Sequence, residues 1–218
     1  RLARSVHQAY PRHFGYSAKT GAVSNAISGK SDLYIYFYYH GLSLLNAKGS
    51  FCFITSNSWL DVGYGAGLQE FLLRHSHVKL VLDNELRRSF ADADVNTVIV
   101  LLSAPDDRSD AGLDRHMRFV MFTAPYEAMI HPVIFQELEE ATDRKTTPDY
   151  RIHALSQAEA LAAGSDTAAD ATGTPGPLIR VGDYAGDKWG GKYLRAPDIY
   201  WEILERAGDR LVRLGDIA

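Results

Sequence analysis

The stretch "VKLVLDNELRRSFADADVNTVIVLL", residues 78–102, contains the signals that decide the fold. It opens with an apolar segment, passes through a charged loop, and closes with eight residues, Val95 to Leu102, that are all Val, Ile, Leu, Thr or Asn. Short apolar runs rich in β-branched residues and free of Gly and Pro predict strands. Two consecutive strands pair most simply as antiparallel neighbours, so the stretch predicts an antiparallel strand pair.

Upstream of this stretch, apolar segments of helical and strand character alternate. Ser31 and Asp32 are both good N-caps for a helix over about residues 32–46, whose apolar face we expect to contain Leu33, Phe37, Leu42 and Leu45. The segment 50–55 predicts a strand, and "GYGAGLQEFLLRHS" predicts a second helix. The order helix, strand, helix, strand, strand is typical of half of an open α/β sheet.

Downstream, the pattern predicts further ordered segments and one linker. We expect a strand in "RHMRFVMFTA", a helix in "HPVIFQELEEAT", a strand leading into a helix in "DYRIHALSQAEALAAG", and a helix near residues 197–207. The intervening segment is small, polar and rich in Gly and Pro, which is typical of a linker. The predicted organisation is therefore a main domain at 1–162, a linker at 163–178 and a further segment at 179–218.

Composition limits the class of protein. The 218 residues are 46% hydrophobic and 23% charged, which is typical of a globular protein with a sizeable core. The net charge of −4 provides no global attraction for nucleic acid. Cys52 is the only cysteine, which fits a reducing cytoplasm, and we expect it to be a small buried hydrophobe rather than a nucleophile. No signal peptide or membrane span is predicted, and a start at Arg1 without Met suggests a piece of a larger protein.

Several common catalytic motifs are missing from the sequence. It has no GxGxxG after a strand, no Walker GxxxxGK[ST], no HExxH and no cluster of residues at metal-ligand spacing, so no metal is predicted. The polar stretch "TSNS", residues 55–58, lacks the glycine frame of a nucleophile elbow. Composition and spacing alone thus predict only part of an α/β domain.

The order of segments carries more information. The series "DLYIYF…LL…GSFCFITSNSWL…GAGLQEFLL…VKLVLDNELRRSFADADVNTVIVLL" resembles the C-terminal half of the catalytic domain of gamma-class N6-adenine DNA methyltransferases of type II and type IIG restriction–modification or phage-defence systems. The segment "KWGGKYLRAPDIYWEIL…LGDIA" resembles the lead-in to their target-recognition domain. The resemblance implies the second half of a Rossmann-like class I methyltransferase sheet that ends in an antiparallel strand pair, with a C-terminal extension.

The resemblance also implies roles for single residues. In "DLYIYF", Phe37 falls on the aromatic residue that packs against the adenine of S-adenosylmethionine, although it is equally a candidate for packing the helix on the sheet. Phe90 falls on the loop aromatic that stacks on the target adenine after it is flipped from the duplex. The alternative is that Phe90 covers the end of the sheet and has no contact with the base. Beside it, Arg87 and Arg88 are either phosphate contacts or a solvated surface pair.

The strand "GSFCFITSNSWL" resembles the family strand that ends in a polar stretch and Trp. Its position makes Ser56, Asn57 and Ser58 candidates for the rim of the active site, and the alternative is a structural strand end with Trp59 as a core anchor. The family tetrapeptide [DN]PP[YF] and the glycine-rich cofactor loop are absent from the 218 residues. Both precede these segments in the gamma order, so we expect them upstream.

The resulting prediction is a fragment of a cytoplasmic, site-specific, adenine-specific DNA methyltransferase that uses S-adenosylmethionine and acts on double-stranded DNA. Its further partners are upstream and downstream domains of the same polypeptide, and the fragment alone is expected to be inactive. Two alternatives remain: a nucleotide-dependent oxidoreductase half-domain, and a non-catalytic interaction domain derived from a methyltransferase. The tetrapeptide upstream, or a GxGxxG in its place, would separate the first alternative from the main prediction.

Overall fold

The computed structural model describes residues 2–85, 95–106, 110, 112–165, 181 and 183–212. The described helices are α1 (Leu2–Ala9), α2 (Pro11–Phe14), α3 (Leu33–Ser43), α4 (Ala66–His75), α5 (Tyr126–Met129), α6 (Pro132–Glu140), α7 (Gln157–Ala163) and α8 (Asp198–Ala207). The described strands are β1 (Ser50–Ser56), β2 (Val78–Asn84), β3 (Thr97–Ser103), β4 (His116–Phe122), β5 (Lys145–Thr146) and β6 (Tyr150–Ser156). Short 3-10 turns cover Ser58–Leu60, Gly63–Gly65 and Gly208–Arg210, and a π-helical turn covers Gly190–Leu194.

The six strands form one sheet in the order β1-β3-β2-β4-β6-β5. β3 lies between β1 and β2 and is antiparallel to both. β2 and β4 are parallel, and β6 is antiparallel to β4 and β5. The predicted α/β class and the antiparallel pair β2–β3 are therefore confirmed. Three further strands extend the sheet beyond β2, so the pair lies inside the sheet.

The larger core lies on the sheet face covered by α1, α3, α4 and α7. Phe71 and Leu72 of α4 are buried there, as their helical spacing predicts. Trp59 is fully buried and packs edge-to-face on Trp189, with ring centroids 5.8 Å apart. Trp189 belongs to the predicted 179–218 segment, so that segment contributes side chains to the same core.

The helix α3 buries a face that only partly matches the predicted one. Its buried residues are Ile35, Tyr38, Tyr39 and Leu42, so Leu42 is buried as predicted, whereas Leu33 is 60% exposed. The spacing i, i+3, i+4, i+7 of the buried set is that of one helical stripe, and the prediction missed it because it gave tyrosines too little weight. Tyr38 can be buried because its hydroxyl lies 3.0 Å from the Thr55 hydroxyl, which satisfies both groups.

The smaller core lies on the opposite face, where α5 and α6 cover β2, β4 and β6. In the described part of the chain these helices leave the β1–β3 end of this face open. Cys52 is exposed and Ile54 is 38% exposed there. The prediction that Cys52 is buried was therefore wrong, because β1 is an edge strand whose second face has no covering layer among the described residues.

The N-terminal segment contains two short helices. α1 and α2 follow one another, and Gly15 ends α2 in the left-handed region at φ 57°. Phe14 anchors the segment, since its ring packs on Tyr39 with centroids 5.3 Å apart. No helix in the described ranges has the length and apolar character needed to span a bilayer.

Candidate functional site

A group of polar side chains lies where β1 and β2 end. Because both strands are antiparallel to β3, their carboxyl ends meet at the edge where β3 begins. Ser56, Asn57, Ser58, Asp83 and Asn84 lie at this edge, and we call them the polar rim. Ends of neighbouring strands at one edge of an α/β sheet are a common place for ligands. Ser56, Asn57 and Ser58 thus lie at such an edge, and their role at the border of an active site stays a prediction.

The backbone of the rim is held by β3 and by local hydrogen bonds. The Asn57 amide N–H donates to the Asn96 carbonyl at 3.0 Å, one residue before β3. The Ser56 and Ser58 hydroxyls lie 2.9 Å apart. Asn57 has φ −80° and ψ −1°, in a sparsely populated region in which many active-site residues lie.

Sequence reasoning missed Asp83, which the fold places against Asn57. Asn57 Nδ2 donates to Asp83 Oδ2 at 3.5 Å, and Asp83 Oδ1 accepts from the backbone N–H of Asn84 at 2.8 Å. Burial raises the pKa of the Asp83 carboxyl, while the two hydrogen bonds and the positive charge of Arg195 act in the opposite direction. Asp83 is thus a nearly buried carboxylate at the edge of the sheet.

A second acid, Asp61, connects the rim to the π-helical turn. Gly191 donates its backbone N–H to Asp61 Oδ1 at 2.8 Å, and the Arg195 guanidinium pairs with Asp61 Oδ2. Lys188 donates to the Asp61 carbonyl. We call Asp61, Gly191 and Arg195 the Asp61 clamp. Arg195 also faces the rim, since its Nη1 lies 3.7 Å from Asp83 Oδ2.

The glycine pair in "WGG" explains why the clamp forms. A Cβ atom on Gly190 would overlap both the Asp61 carboxylate and the Arg195 guanidinium, whereas a Cβ on Gly191 would lie 3.6 Å from Asp61 Oδ1, an ordinary contact. π-Helical turns occur often at functional sites. The two adjacent glycines were the signal in the sequence, but nothing in the sequence indicated their partner about 130 residues away.

Tyrosines connect the start of α3 to the rim. The Tyr34 and Tyr64 hydroxyls lie 2.8 Å apart, and Tyr64 donates to Asp32 Oδ2 at 2.7 Å. Burial raises the pKa of Tyr34, and hydrogen bonds with Tyr64 and Ser56 partly offset this effect. The burial of Tyr64 and its hydrogen bond with Tyr34 both raise its pKa, so both phenols remain protonated near neutral pH.

Phe37 lies one turn after Tyr34 on α3 and is 45% exposed. The buried stripe of α3 does not include it, so the alternative that it only packs the helix on the sheet has little support from its burial. Phe90, Arg87 and Arg88 lie outside the described residues. The described residues on either side of that segment are Glu85, just after β2, and Val95, just before β3, and both lie beside the rim.

The described residues contain no group of three or more His, Cys, Asp or Glu that is arranged to hold a metal ion. Elsewhere in the molecule, buried charge is concentrated at Glu70 and Arg74, which form an ion pair of 3.0 Å on α4. That pair lies in the larger core, away from the polar rim, and its role there is structural.

Residues 11–90 match the family described as Eco57I restriction-modification methylase. This part of the chain is similar to restriction-modification methylases. The matched segment is just over a third of the chain and includes Phe37, the strands β1 and β2, and the position of Phe90. No curated protein matches the chain at a significant level.

Two solved structures illustrate the wider similarity. The M protein of the type I restriction enzyme EcoKI has 13% identity and a TM-score of 0.40, over 57% of this chain and 34% of that protein. The type IIG restriction endonuclease BpuSI has 11% identity and a TM-score of 0.47, over 72% of this chain and 17% of that protein. The chain therefore spans about a third of the first protein and about a sixth of the second.

Proposed function

We propose that the chain is part of a gamma-class, site-specific DNA methyltransferase that transfers a methyl group from S-adenosylmethionine to N6 of a flipped adenine, in restriction–modification or phage defence. The observation that carries the proposal is the match of residues 11–90 to a restriction-modification methylase family, over the segment that contains the polar rim. The enzyme acts on double-stranded DNA in the cytoplasm. This part forms the C-terminal half of the catalytic domain and leads into the target-recognition domain.

The proposed roles follow the positions of the side chains. Phe37 fits a contact with the cofactor adenine, because its ring is half exposed at the end of α3 that Tyr34 links to the rim. S-adenosylmethionine, when bound, supplies an electrophilic methyl group. Phe90 stacks on the flipped adenine, and Arg87 and Arg88 bind the flanking phosphates. The described residues that flank this segment in the chain, Glu85 and Val95, lie beside the rim, which supports these roles.

The open edge of β1 supports the assignment to a larger catalytic domain. In the described residues no strand pairs with its outer side, and the exposed Cys52 and Ile54 line one of its faces. An unprotected apolar edge strand is a site for strand pairing. We propose that an upstream strand of the same polypeptide pairs here and brings the [DN]PP[YF] tetrapeptide to the rim. Without that tetrapeptide the 218 residues alone are inactive.

The test is to express the full-length polypeptide in a methylation-free host and to map N6-methyladenine by sequencing. Methylation of one short motif is expected, with a loss of about fivefold to 150-fold for Phe90→Ala, because base stacking contributes about 1–3 kcal/mol. Phe37→Ala should raise the KM for the cofactor. Leu44→Ala is the matched control, since this apolar side chain at the end of the same helix is 72% exposed and has no assigned role.

An interaction domain derived from a methyltransferase is the second candidate, and the open β1 edge is the observation that favours it. Folded full-length protein that binds a partner but leaves DNA unmethylated, with cofactor present, would support this candidate and contradict the first. If Phe90→Ala left methylation unchanged, the methyltransferase assignment would stand, and Phe90 would have only a structural role at the end of the sheet.

A further inference from the structure

The side-chain amide of Asn57 has a defined orientation. Asp83 Oδ1 accepts the Asn84 N–H and Asp83 Oδ2 faces Arg195, so the carboxylate acts as an acceptor. The group of Asn57 that faces it must therefore be the NH2 donor at Nδ2. This leaves Asn57 Oδ1 as an acceptor, and it has no partner among the described residues. The amide is only half buried, so this oxygen is available to a ligand.

The orientation depends on residues far away in the sequence. Arg195 lies between two carboxylates, with Nη2 on Asp61 and Nη1 3.7 Å from Asp83. The hydrogen bond from Gly191 fixes the Asp61 carboxylate. A ring of contacts thus runs from Asn57 through Asp83 and Arg195 to Asp61, four residues after Asn57. It fixes the side chain of Asn57 at the rim.

From this arrangement we propose that Asn57 Oδ1 accepts a hydrogen bond from the exocyclic amino group of the flipped base, and that Arg195 is a positioning residue that acts through Asp83. The inference rests on the proposed function and adds a base-contacting residue to it. The base is favoured over the cofactor because the Asn57 backbone is bonded to Asn96, at the exit of the segment that carries Phe90.

The experiment compares two DNA duplexes that differ only in the target base, adenine or purine, which lacks the amino group. Purine also pairs more weakly and is flipped more easily, so the ratio of the two affinities in the wild-type full-length protein is the reference for the adenine preference. Asn57→Ala should shift this ratio toward the purine duplex by about threefold to tenfold, the range expected for one hydrogen bond. Affinity for S-adenosylhomocysteine and the melting temperature should remain near wild-type values. A contribution to folding alone would change the melting temperature and leave the preference intact.

A second set of variants in the same binding experiment tests Arg195. Arg195→Gln should reduce the preference in the same direction but less, and Arg195→Lys should retain part of it, because lysine keeps the charge without the planar fork. Arg206→Gln is the matched control, since Arg206 is 82% exposed on α8. Binding is measured at low salt and at one fixed pH, with the methylation site taken from the sequencing experiment.

The pH dependence gives an independent readout. The groups that face Asp83 are the Arg195 cation, the amide of Asn57 and the backbone N–H of Asn84, and its charge also acts on the Tyr126 hydroxyl of α5. Loss of the Arg195 charge should raise the pKa of Asp83. Once protonated, Asp83 carries an O–H donor, so its partner no longer has to be the NH2 group of Asn57. The acid limb of the rate profile should therefore move to higher pH in Arg195→Gln and stay in place in Arg206→Gln.

The outcomes separate the two proposals. An unchanged preference in Asn57→Ala, in an enzyme that methylates normally, would overturn the inference and leave the proposed function intact. A loss confined to cofactor affinity would overturn it as well. Absence of methylation in the wild type would instead contradict the proposed function itself.

Discussion

Two ion-pair regions of the molecule, one inside the larger core and one at the polar rim, differ in how tightly they are built. Glu70 and Arg74 are both about 2% exposed, their side chains meet at 3.0 Å, and Arg74 also binds Asp110 at 2.7 Å. At the polar rim, Arg195 is 41% exposed and lies 3.7 Å from Asp83. In the first arrangement each charge is paired inside the core, so removal of one partner would leave the other buried and uncompensated. The second leaves donors and acceptors accessible, which is what a binding site requires.

The largest expected effect is on the tight pair. Arg74→Leu should destabilise the protein by about 3–5 kcal/mol, because it removes the cation from a buried carboxylate. Urea denaturation measures the change. Arg206→Leu is the control, since Glu202 and Arg206 form the same i,i+4 pair at an exposed site of α8. Arg206→Leu should change the free energy of unfolding by no more than about 0.5 kcal/mol. Equal effects of the two substitutions would contradict the role assigned to burial.

The next effect is on pH dependence near the tight pair. Burial, followed by repulsion from His75 and Arg74, lowers the pKa of His13 to about 3. Because the folded pKa lies below the unfolded value of about 6.5, His13 stabilises the protein above pH 6.5, and this contribution is lost as the pH falls toward 3. Between pH 7 and 5 the loss should be about 2 kcal/mol.

The variant His13→Phe tests this expectation by denaturation at a series of pH values. Its stability should fall less than that of the wild type between pH 7 and 5, whereas both proteins should respond alike between pH 8 and 7. If the stability of the variant fell between pH 7 and 5 as steeply as that of the wild type, groups other than His13 would cause the acid sensitivity. His153 is the next candidate, because burial and the nearby Arg144 and Lys192 lower its pKa to about 4.

A third effect concerns the Asp61 clamp. Gly190→Ala should cost about 1 kcal/mol, because the added methyl group overlaps the ends of the Asp61 and Arg195 side chains, which can move aside at the loss of their partly exposed ion pair. Gly191→Ala, its neighbour, should cost much less, since its Cβ meets only an ordinary contact. Thermal denaturation of the two variants side by side measures the difference. The account of the clamp would be wrong if Gly191→Ala were the more destabilising substitution.

These regions also differ in how far the sequence predicts them. The strands β1 to β3 and the helix α4 were predictable because short-range apolar periodicity determines them. The buried face of α3 was not, because Tyr38 is buried through a hydrogen bond with Thr55 that periodicity does not reveal. Cys52 was expected to be buried because a lone small hydrophobe usually is, but an edge strand with an uncovered face leaves it exposed.

The candidate site was predictable only in part. The polar stretch after β1 indicated Ser56, Asn57 and Ser58, because it follows a strand at the edge where ligands bind. The contacts that orient Asn57 come from Asp83 and Arg195, which are 26 and 138 positions further along the chain. Such pairings depend on the order of strands in the sheet and on the path of the π-helical turn. A single sequence contains no local signal for either.

The smallest expected effect on stability concerns Arg195, and its size is the sharpest test of the comparison. Arg195→Gln removes a cation that is 41% exposed, so solvent screening limits the cost to less than about 1 kcal/mol. If the rim is built for binding, the same substitution should weaken discrimination between adenine and purine while the denaturation midpoint stays nearly constant. A loss of stability as large as that of Arg74→Leu would instead mean that both ion pairs hold the fold together. The difference in their geometry would then have no functional meaning.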